Sequence, residues 1–269
     1  MDIQQQKSYR VLLIGDSCYD IYHYGVCDRL SPEAPVPVIK EMRSETKPGM
    51  SLNVKSNIES FQLCVNYYTN SERINKHRFI DQKHNQHLLR WDENEVNTLS
   101  PFDVSSLLMD VDDLPDVVVI SDYDKGFLPY EVCEELLKKI RTTLPDIPVF
   151  VDTKKKDLTC FEKCVIKINE KEFSELTKKP KEATYIVTLG HRGALYNGAI
   201  IATTPTEVFD VCGAGDVFLA SLVYGYLKTQ KMKKAINLAN ALARVSVSHM
   251  GTYIITDEDI ECAKNDICF

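Results

Sequence analysis

From Asp116 onward the chain repeats one pattern, a short apolar run followed by a longer polar or amphipathic segment. Residues 117–121, 149–152, 165–168 and 185–189 read as strands, and 130–144 and 170–176 as helices between them. Strands that are apolar throughout are buried on both faces, which predicts a mostly parallel sheet with helices on either side, an α/β fold. Residues 10–15 fit as a further buried strand ending in Gly15-Asp16, and 199–204 as a later one. The runs 36–43, 76–83 and 87–92 alternate instead, which suits exposed or edge strands. They are expected to form a small β flap over about 22–48 and 76–93.

With 269 residues and no internal repeat, low-complexity tract or Gly/Ser linker, one domain over 1–269 is expected. Its net charge of −7 argues against a nucleic-acid partner, because such binding is driven by basic side chains. The runs Lys154-Lys155-Lys156 and Lys178-Lys179 read as solvated faces unless a phosphate ligand is implied independently. No apolar stretch is long enough to span a bilayer, and the polar start from Met1 to Lys7 lacks a secretory core, so a cytoplasmic protein without membrane contact is expected. Nine scattered cysteines, with no Cys-x-x-Cys, read as reduced thiols.

In an open α/β sheet, ligands lie beyond the carboxyl ends of the strands. The residues there are polar: Asp16 and Asp20, Asp122 and Lys125, Asp152 and Lys154, Asn169, Gly190 and Gly193. Such convergence implies a polyhydroxyl or phosphorylated ligand. Gly213-Ala214-Gly215-Asp216 opens a strongly apolar helix running to 227, with further helices over 233–250 and from 256. Small residues at a helix start let backbone N–H groups approach an anion, while Asp216 could take a proton from an attacking hydroxyl. The same residues could equally be a tight turn with an aspartate cap. No Gly-x-x-x-x-Gly-Lys-Ser/Thr loop is present, so a nucleotide would be held differently.

Gly213 to Asp216, with Asp210 upstream, resembles the signature of the ribokinase-like sugar kinases, the phosphofructokinase B type. The run from Arg29 to Val38, with Gly15 to Asp20, Ser121 to Gly126 and Glu207 to Val211, is similar to the D-glycero-β-D-manno-heptose 7-phosphate kinase half of the bifunctional ADP-heptose synthases. That resemblance implies a three-layer sandwich with a β lid, and ATP and Mg²⁺ as cofactors. It makes Asp216 the base and the N–H groups of Gly213, Ala214 and Gly215 the anion hole. It puts Asn169, Glu170, Lys171, Glu172, Thr188, Gly190, Gly193 and Asn240 at the nucleotide, with Glu172 reaching Mg²⁺ through water. It turns Asp16, Asp20, Gly49 and Asn53 to the sugar, with Lys125 and Lys154 nearby for phosphate, and places K⁺ or another monovalent cation by Asp210. It also implies a homodimer through the lid and a separate nucleotidyltransferase partner.

Three departures stand out. Met50 replaces a glycine of that family's Pro-Gly-Gly-Ala-Ala-Asn-Val, Cys212 stands where a Thr is usual, and the span from Leu63 to Lys76 is too short for the strand–helix–strand unit expected there. Two alternatives stay open on these grounds: a kinase for another sugar or sugar phosphate, and a catalytically silent sugar-phosphate-binding scaffold. His77, His84 and His87 lack the spacing of a metal site, and Trp91 reads as a packing residue of the flap.

Overall fold

The computed structural model describes residues 9–95, 99–108 and 114–267; the polar start from Met1 to Lys7 lies outside them. The chain enters through β1 (Arg10–Gly15), runs out into a long hairpin of β2 (Ser17–Leu30) and β3 (Pro37–Met50), and returns through α1 (Ser51–Ser60) to β4 (Cys64–Tyr68). It leaves again for β5 (Asn75–Asp81) and β6 (Gln86–Glu93). It then alternates through β7 (Val117–Asp122), α2 (Tyr130–Thr143), β8 (Val149–Thr153), β9 (Val165–Asn169), α3 (Glu170–Ser174) and β10 (Thr184–Thr188). After β11 (Ala194–Tyr196) and β12 (Ala199–Ile201) come three helices, α4 (Ala214–Thr229), α5 (Met232–Ser246) and α6 (Asp257–Asp266).

Two sheets result, one of eight strands in the order β12-β11-β10-β9-β8-β7-β1-β4 and one of four in the order β3-β2-β5-β6. The larger is parallel from β4 to β10 and antiparallel only at β11 and β12, as the apolar runs predict. Successive residues of a strand face opposite ways. Val11, Leu13, Val117 and Val119 therefore pack with Val54, Val217, Ala220 and Leu238 of α1, α4 and α5, while Leu12, Ile14, Val118 and Ile120 pack with Leu136 and Ile140 of α2. Each such side chain contributes about 1.5–3 kcal/mol through burial. No helix among the described residues is long and apolar enough to cross a membrane, and the eight described cysteines are all free.

Several elements differ from the sequence reading, each for a physical reason. Helix α1 is not signalled by the sequence because its buried face includes Ser51, Asn53 and Asn57, which break the apolar period. Strand β2 escapes the pattern because its inner face holds Asp20 among Cys18, Tyr22 and Tyr24. Strand β3 extends past 43 to Met50, carrying the chain from the small sheet to α1. The 63–76 span is expected to lack at least one strand and its crossover helix. Its residues form the edge strand β4 and then lead from Thr69 straight into β5, with no helix between. A crossover is needed only between parallel strands of one sheet, and β5 joins the other sheet.

Asn57 ties α1 to the C-terminal segment: its Nδ2 donates to the carbonyl of Tyr253 at 3.1 Å and its Oδ1 accepts from the Ile255 N–H at 3.0 Å. Asn57→Leu strips both partners at a buried site. It should cost about 2–3 kcal/mol, read as a lower urea midpoint at unchanged slope.

Candidate functional site

The strand order fixes the order of functional groups along one edge. The carboxyl ends of β1, β7, β8, β9 and β10 lie side by side and present, in turn, Asp16, Asp122 with Tyr123, Asp152 with Lys154, Asn169, and Thr188 with Gly190. The amino end of α4 comes to this edge, since Asp216 in its first turn meets Tyr123.

Asp216 is buried, with both oxygens engaged. Oδ1 accepts from the Tyr123 hydroxyl at 2.5 Å and Oδ2 from Asn53 Nδ2 at 2.9 Å. Burial pushes its pKa up to about 6, with Asp152 adding to the rise and Tyr123, Asn53 and Lys167 opposing it. The Tyr123 hydroxyl is itself held well above 10 by burial and by the charges of Asp216 and Asp152, so it stays a donor. Gly213 precedes the helix at φ +75°, where a Cβ would stand 2.7 Å from Asn53 Nδ2. A Cβ on Gly215 would meet Lys167 Nζ at 2.8 Å, so this ammonium lies directly against the turn. Lys167 is buried and pairs with Asp152 Oδ2 at 2.6 Å. Of the three amides expected to line the anion hole, that of Ala214 bonds the Val211 carbonyl at 3.3 Å, while no described residue accepts from those of Gly213 and Gly215.

On the β1 side, Asp16 is fully buried: Oδ2 accepts from the Tyr123 N–H at 2.6 Å and Oδ1 has no partner among the described residues. Burial and the neighbouring Asp122 raise its pKa to about 6. Asp20 is buried against Arg78 of β5, whose Nη2 also reaches Cys212 Sγ at 3.5 Å. Gly49 lies opposite Cys18 in the β2–β3 pair. Met50 takes φ +54° and ψ −136°, a sparsely populated conformation that costs a side-chain-bearing residue about 1–3 kcal/mol. Its side chain is buried in the apolar cluster with Leu12, Ile14 and Cys18. Lys125 is in contact with Glu95.

On the β9 side, Asn169 and Glu172 cap α3 reciprocally: the Glu172 N–H donates to Asn169 Oδ1 at 2.8 Å and the Asn169 N–H to Glu172 Oε2 at 3.1 Å. Lys154 donates to Glu172 Oε1 at 2.5 Å. Burial disfavours the Lys154 charge, but Asp152, Glu172 and Asp216 together hold its pKa above the ordinary value. Glu170 pairs with Arg192 at 2.6 Å, whereas Lys171 is exposed and brings no side chain to the site. Thr188, Gly190, Gly193 and Asn240 line a cavity of about 230 Å³ that reaches Ala214 and Gly215, with Val208, Phe218 and Val247 among its apolar walls. Asn240 Nδ2 there donates to the Ile201 carbonyl at 2.9 Å. A larger cavity of about 410 Å³, between Phe61, Tyr224, Lys228 and Lys264, holds none of these residues. Asp210 accepts from the N–H groups of Cys212 and Gly251, both at 2.9 Å.

A hydrated Mg²⁺ on nucleotide phosphates needs only one or two protein carboxylates. Asp152 fits, since its Oδ1 is buried without a partner, and Glu172 lies across Lys154 from it.

Sequence reasoning gives no role to Tyr123, Lys167, Arg78 or Lys76. Lys167 is signalled by a lysine inside the apolar run Val165-Ile166-Lys167-Ile168. The lysine run at 154–156 is not one solvated face: the Lys155 side chain is buried on Asp122 at 3.1 Å and Asp124 at 2.7 Å, Lys154 is half-buried, and only Lys156 is well exposed. His77 stacks between His23 and Trp91, and no group of three or more His, Cys, Asp or Glu among the described residues is arranged to hold a metal ion.

Residues 55–259 match the pattern of the pfkB family of carbohydrate kinases. The chain is 31% identical over 307 aligned positions to the bifunctional protein HldE of a Nitratiruptor species, covering 94% of this chain and 64% of that protein. It is 32% identical over 310 positions to HldE of Campylobacter jejuni, covering 98% and 67%. The chain thus spans about two thirds of the length of these relatives. Among solved structures, phosphofructokinase-2 from Escherichia coli in complex with potassium superposes with a TM-score of 0.73 at 13% identity, over 98% of this chain and 100% of that one. The Arabidopsis thaliana ribokinase complexed with ribose and ATP gives 0.67 at 15%, over 98% and 100%. At these identities they establish the ribokinase-like fold alone.

The raised pKa of Asp216 makes a stability prediction. The folded state holds its proton up to pH about 6, the unfolded state only to 3.8, so this contribution is complete below 3.8 and is lost as pH rises through 6. Asp216→Asn can keep both hydrogen bonds, because a tyrosine hydroxyl can accept as well as donate. The variant should melt higher than the parent at pH 8 and lose that advantage at pH 4.5, by differential scanning calorimetry.

Proposed function

The chain belongs to the pfkB family of carbohydrate kinases, and we propose that it transfers the γ-phosphoryl group of ATP to the anomeric hydroxyl of D-glycero-β-D-manno-heptose 7-phosphate, giving the 1,7-bisphosphate. The observation that carries the reaction is Asp216, a buried carboxylate held by Asn53 and Tyr123 in the first turn of α4. The run from Arg29 to Val38 carries the choice of sugar.

Asp216 accepts the hydroxyl proton as the sugar oxygen bonds to the γ-phosphorus and the bond from that phosphorus to the β,γ-bridging oxygen breaks, leaving ADP. With a pKa near 6, Asp216 is ionised at neutral pH yet is a stronger base than an ordinary carboxylate. Charge gathering on the transferred group meets the N–H groups of Gly213 and Gly215, the positive end of α4, and Lys167 behind Gly215. Lys154, beside Glu172, adds a second cation. Mg²⁺ on the nucleotide phosphates supplies charge neutralisation, and Asp152 and, through water, Glu172 are the residues that would hold it. The apolar cavity with Asn240 receives the adenine, and Asp210, whose oxygens each keep a lone pair, serves the monovalent cation. Asp16, Asp20, Gly49 and Asn53 face the sugar.

The outer surface of the small sheet exposes Leu30, Met42, Leu89 and Trp91, which supports a homodimer through this lid. Sedimentation equilibrium should then give twice the chain mass, and Trp91→Glu a monomer. A separate nucleotidyltransferase would use the product, and the reading places the reaction in the cytoplasm.

ADP release with ATP, Mg²⁺ and heptose 7-phosphate tests the activity. Asp216→Asn should lower kcat by about 10²–10⁴-fold; turnover that survives this change, or none with the parent, overturns the assignment. Tyr123→Phe removes a hydrogen bond that lowers the Asp216 pKa, so the acid limb of kcat/KM should move to higher pH.

A further inference from the structure

Two arginines where the lid meets the body each hold a carboxylate of their own. Arg78 pairs with Asp20, and Arg90 binds Asp92 through Nε and Nη2, both at 2.7 Å. Two lysines in the same region have none. Lys125, in the loop after β7, contacts Glu95, just beyond β6, and Lys76 of β5 stands 4.0 Å from the same carboxylate, outside hydrogen-bond reach. Lys76 is only 9% exposed and makes no other ion pair among the described residues. Glu95 Oε2 is buried and meets no hydrogen-bond donor among the described residues, with Arg90 Nη2 4.0 Å away and the Asp92 carboxylate close enough for the two to influence each other.

Glu95 thus pairs with Lys125 and is the carboxylate nearest Lys76, which also feels the charge of Asp92 across the β5–β6 pair, and one Glu95 oxygen meets no donor among the described residues. Buried lysines are rare without a partner, and a buried oxygen that meets no donor opposes folding. A carboxylate fits this seat poorly in charge and in number of acceptors. A phosphate monoester carries nearly two negative charges and three acceptor oxygens, which answers both shortfalls. The seat adjoins the acceptor wall: burial and Asp20 raise the pKa of the Cys18 thiol, and Lys76 and Arg78 act against them.

We propose that Glu95 is an internal stand-in for the acceptor's own phosphate. Without acceptor its carboxylate neutralises Lys76 and Lys125; a phosphate monoester at the far end of the sugar displaces it and takes both lysines. This rests on the reading of the acceptor as a sugar phosphate and adds a selection against unphosphorylated sugars, which leave Glu95 in place.

Calorimetric titration of the full chain without ATP, using inorganic phosphate, heptose 7-phosphate and unphosphorylated heptose, tests it. Glu95→Gln should tighten both phosphate-bearing probes by about tenfold, since it removes an internal competitor, and leave heptose unchanged. Lys76→Met and Lys125→Met should weaken the same two probes and spare heptose, which also controls for folding. Unchanged or weaker phosphate binding in Glu95→Gln, or parent-like binding in either lysine variant, overturns the proposal. If no sugar phosphate supports ADP release while inorganic phosphate still responds to Glu95 and both lysines, the kinase reading falls and the subsite stands. If turnover holds while phosphate ignores Glu95, the subsite alone falls.

Discussion

The carboxylate of Asp216 is the point on which this structure turns. Its hydrogen bonds to Asn53 and Tyr123 join α4 to α1 and to the loop after β7, and the Tyr123 amide in turn holds Asp16 beyond β1. Helix α1 is anchored from its other side by Asn57 to the C-terminal segment. Three distant parts of the chain thus meet at one buried anion, and the end of β1 and the C-terminal segment are tied to two of them. Gly213 must lack a side chain for Asn53 to approach, and Gly215 must lack one for Lys167 to lie under the turn. The small residues before the helix and the polar residues inside α1 are two halves of one arrangement.

What was legible in the sequence follows from where the side chains point. Strands β7 to β10 pack on both faces, so their apolar runs announce them, and the rule for open sheets then leads to Asp16, Asp122, Asp152 and Asn169 at their ends. Helix α1 and strand β2 were not legible, because each turns site residues inward: Asn53 and Asn57 in one, Asp20 in the other. The pairing of Arg78 with Asp20 depends on the parallel register of β2 and β5, which no local pattern encodes, and the approach of Lys76 to Glu95 on the antiparallel pairing of β5 with β6. The three consecutive lysines at 154–156 show the same limit, since one charge run divides among three environments once a strand end and a loop fix the directions.

The alignment with the Nitratiruptor protein runs over 307 positions although this chain has 269 residues, so that relative carries segments that this one lacks. The architecture shows where length can be lost. At β4 the chain passes from one sheet to the other and needs no crossover. Between β9 and β10 only α3 and a short loop complete the connection, near the minimum for parallel neighbours. The first place lies away from the strand ends that carry Asp16, Tyr123, Asp152 and Asn169, and the second keeps the turn of α3 that Asn169 caps and that carries Glu172. The sheet margin and the crossover can shorten while the functional edge keeps its order, because that order is set by β1, β7, β8, β9 and β10 pairing in register.

The electrostatics of that edge weigh against a purely structural role. Asp16 and Asp216 both have pKa values raised to about 6, so at neutral pH each is ionised in a place where burial opposes its charge. Lys154, Lys155 and Lys167 lie among the same carboxylates and offset only part of that cost. A binding scaffold gains nothing from a buried carboxylate that an amide of the same shape could replace. A phosphoryl-transfer catalyst does gain, because a base must stay ionised yet avid for a proton, and fixed positive groups must already stand where charge will gather. The charge that burial opposes in this fold is the one a kinase would use.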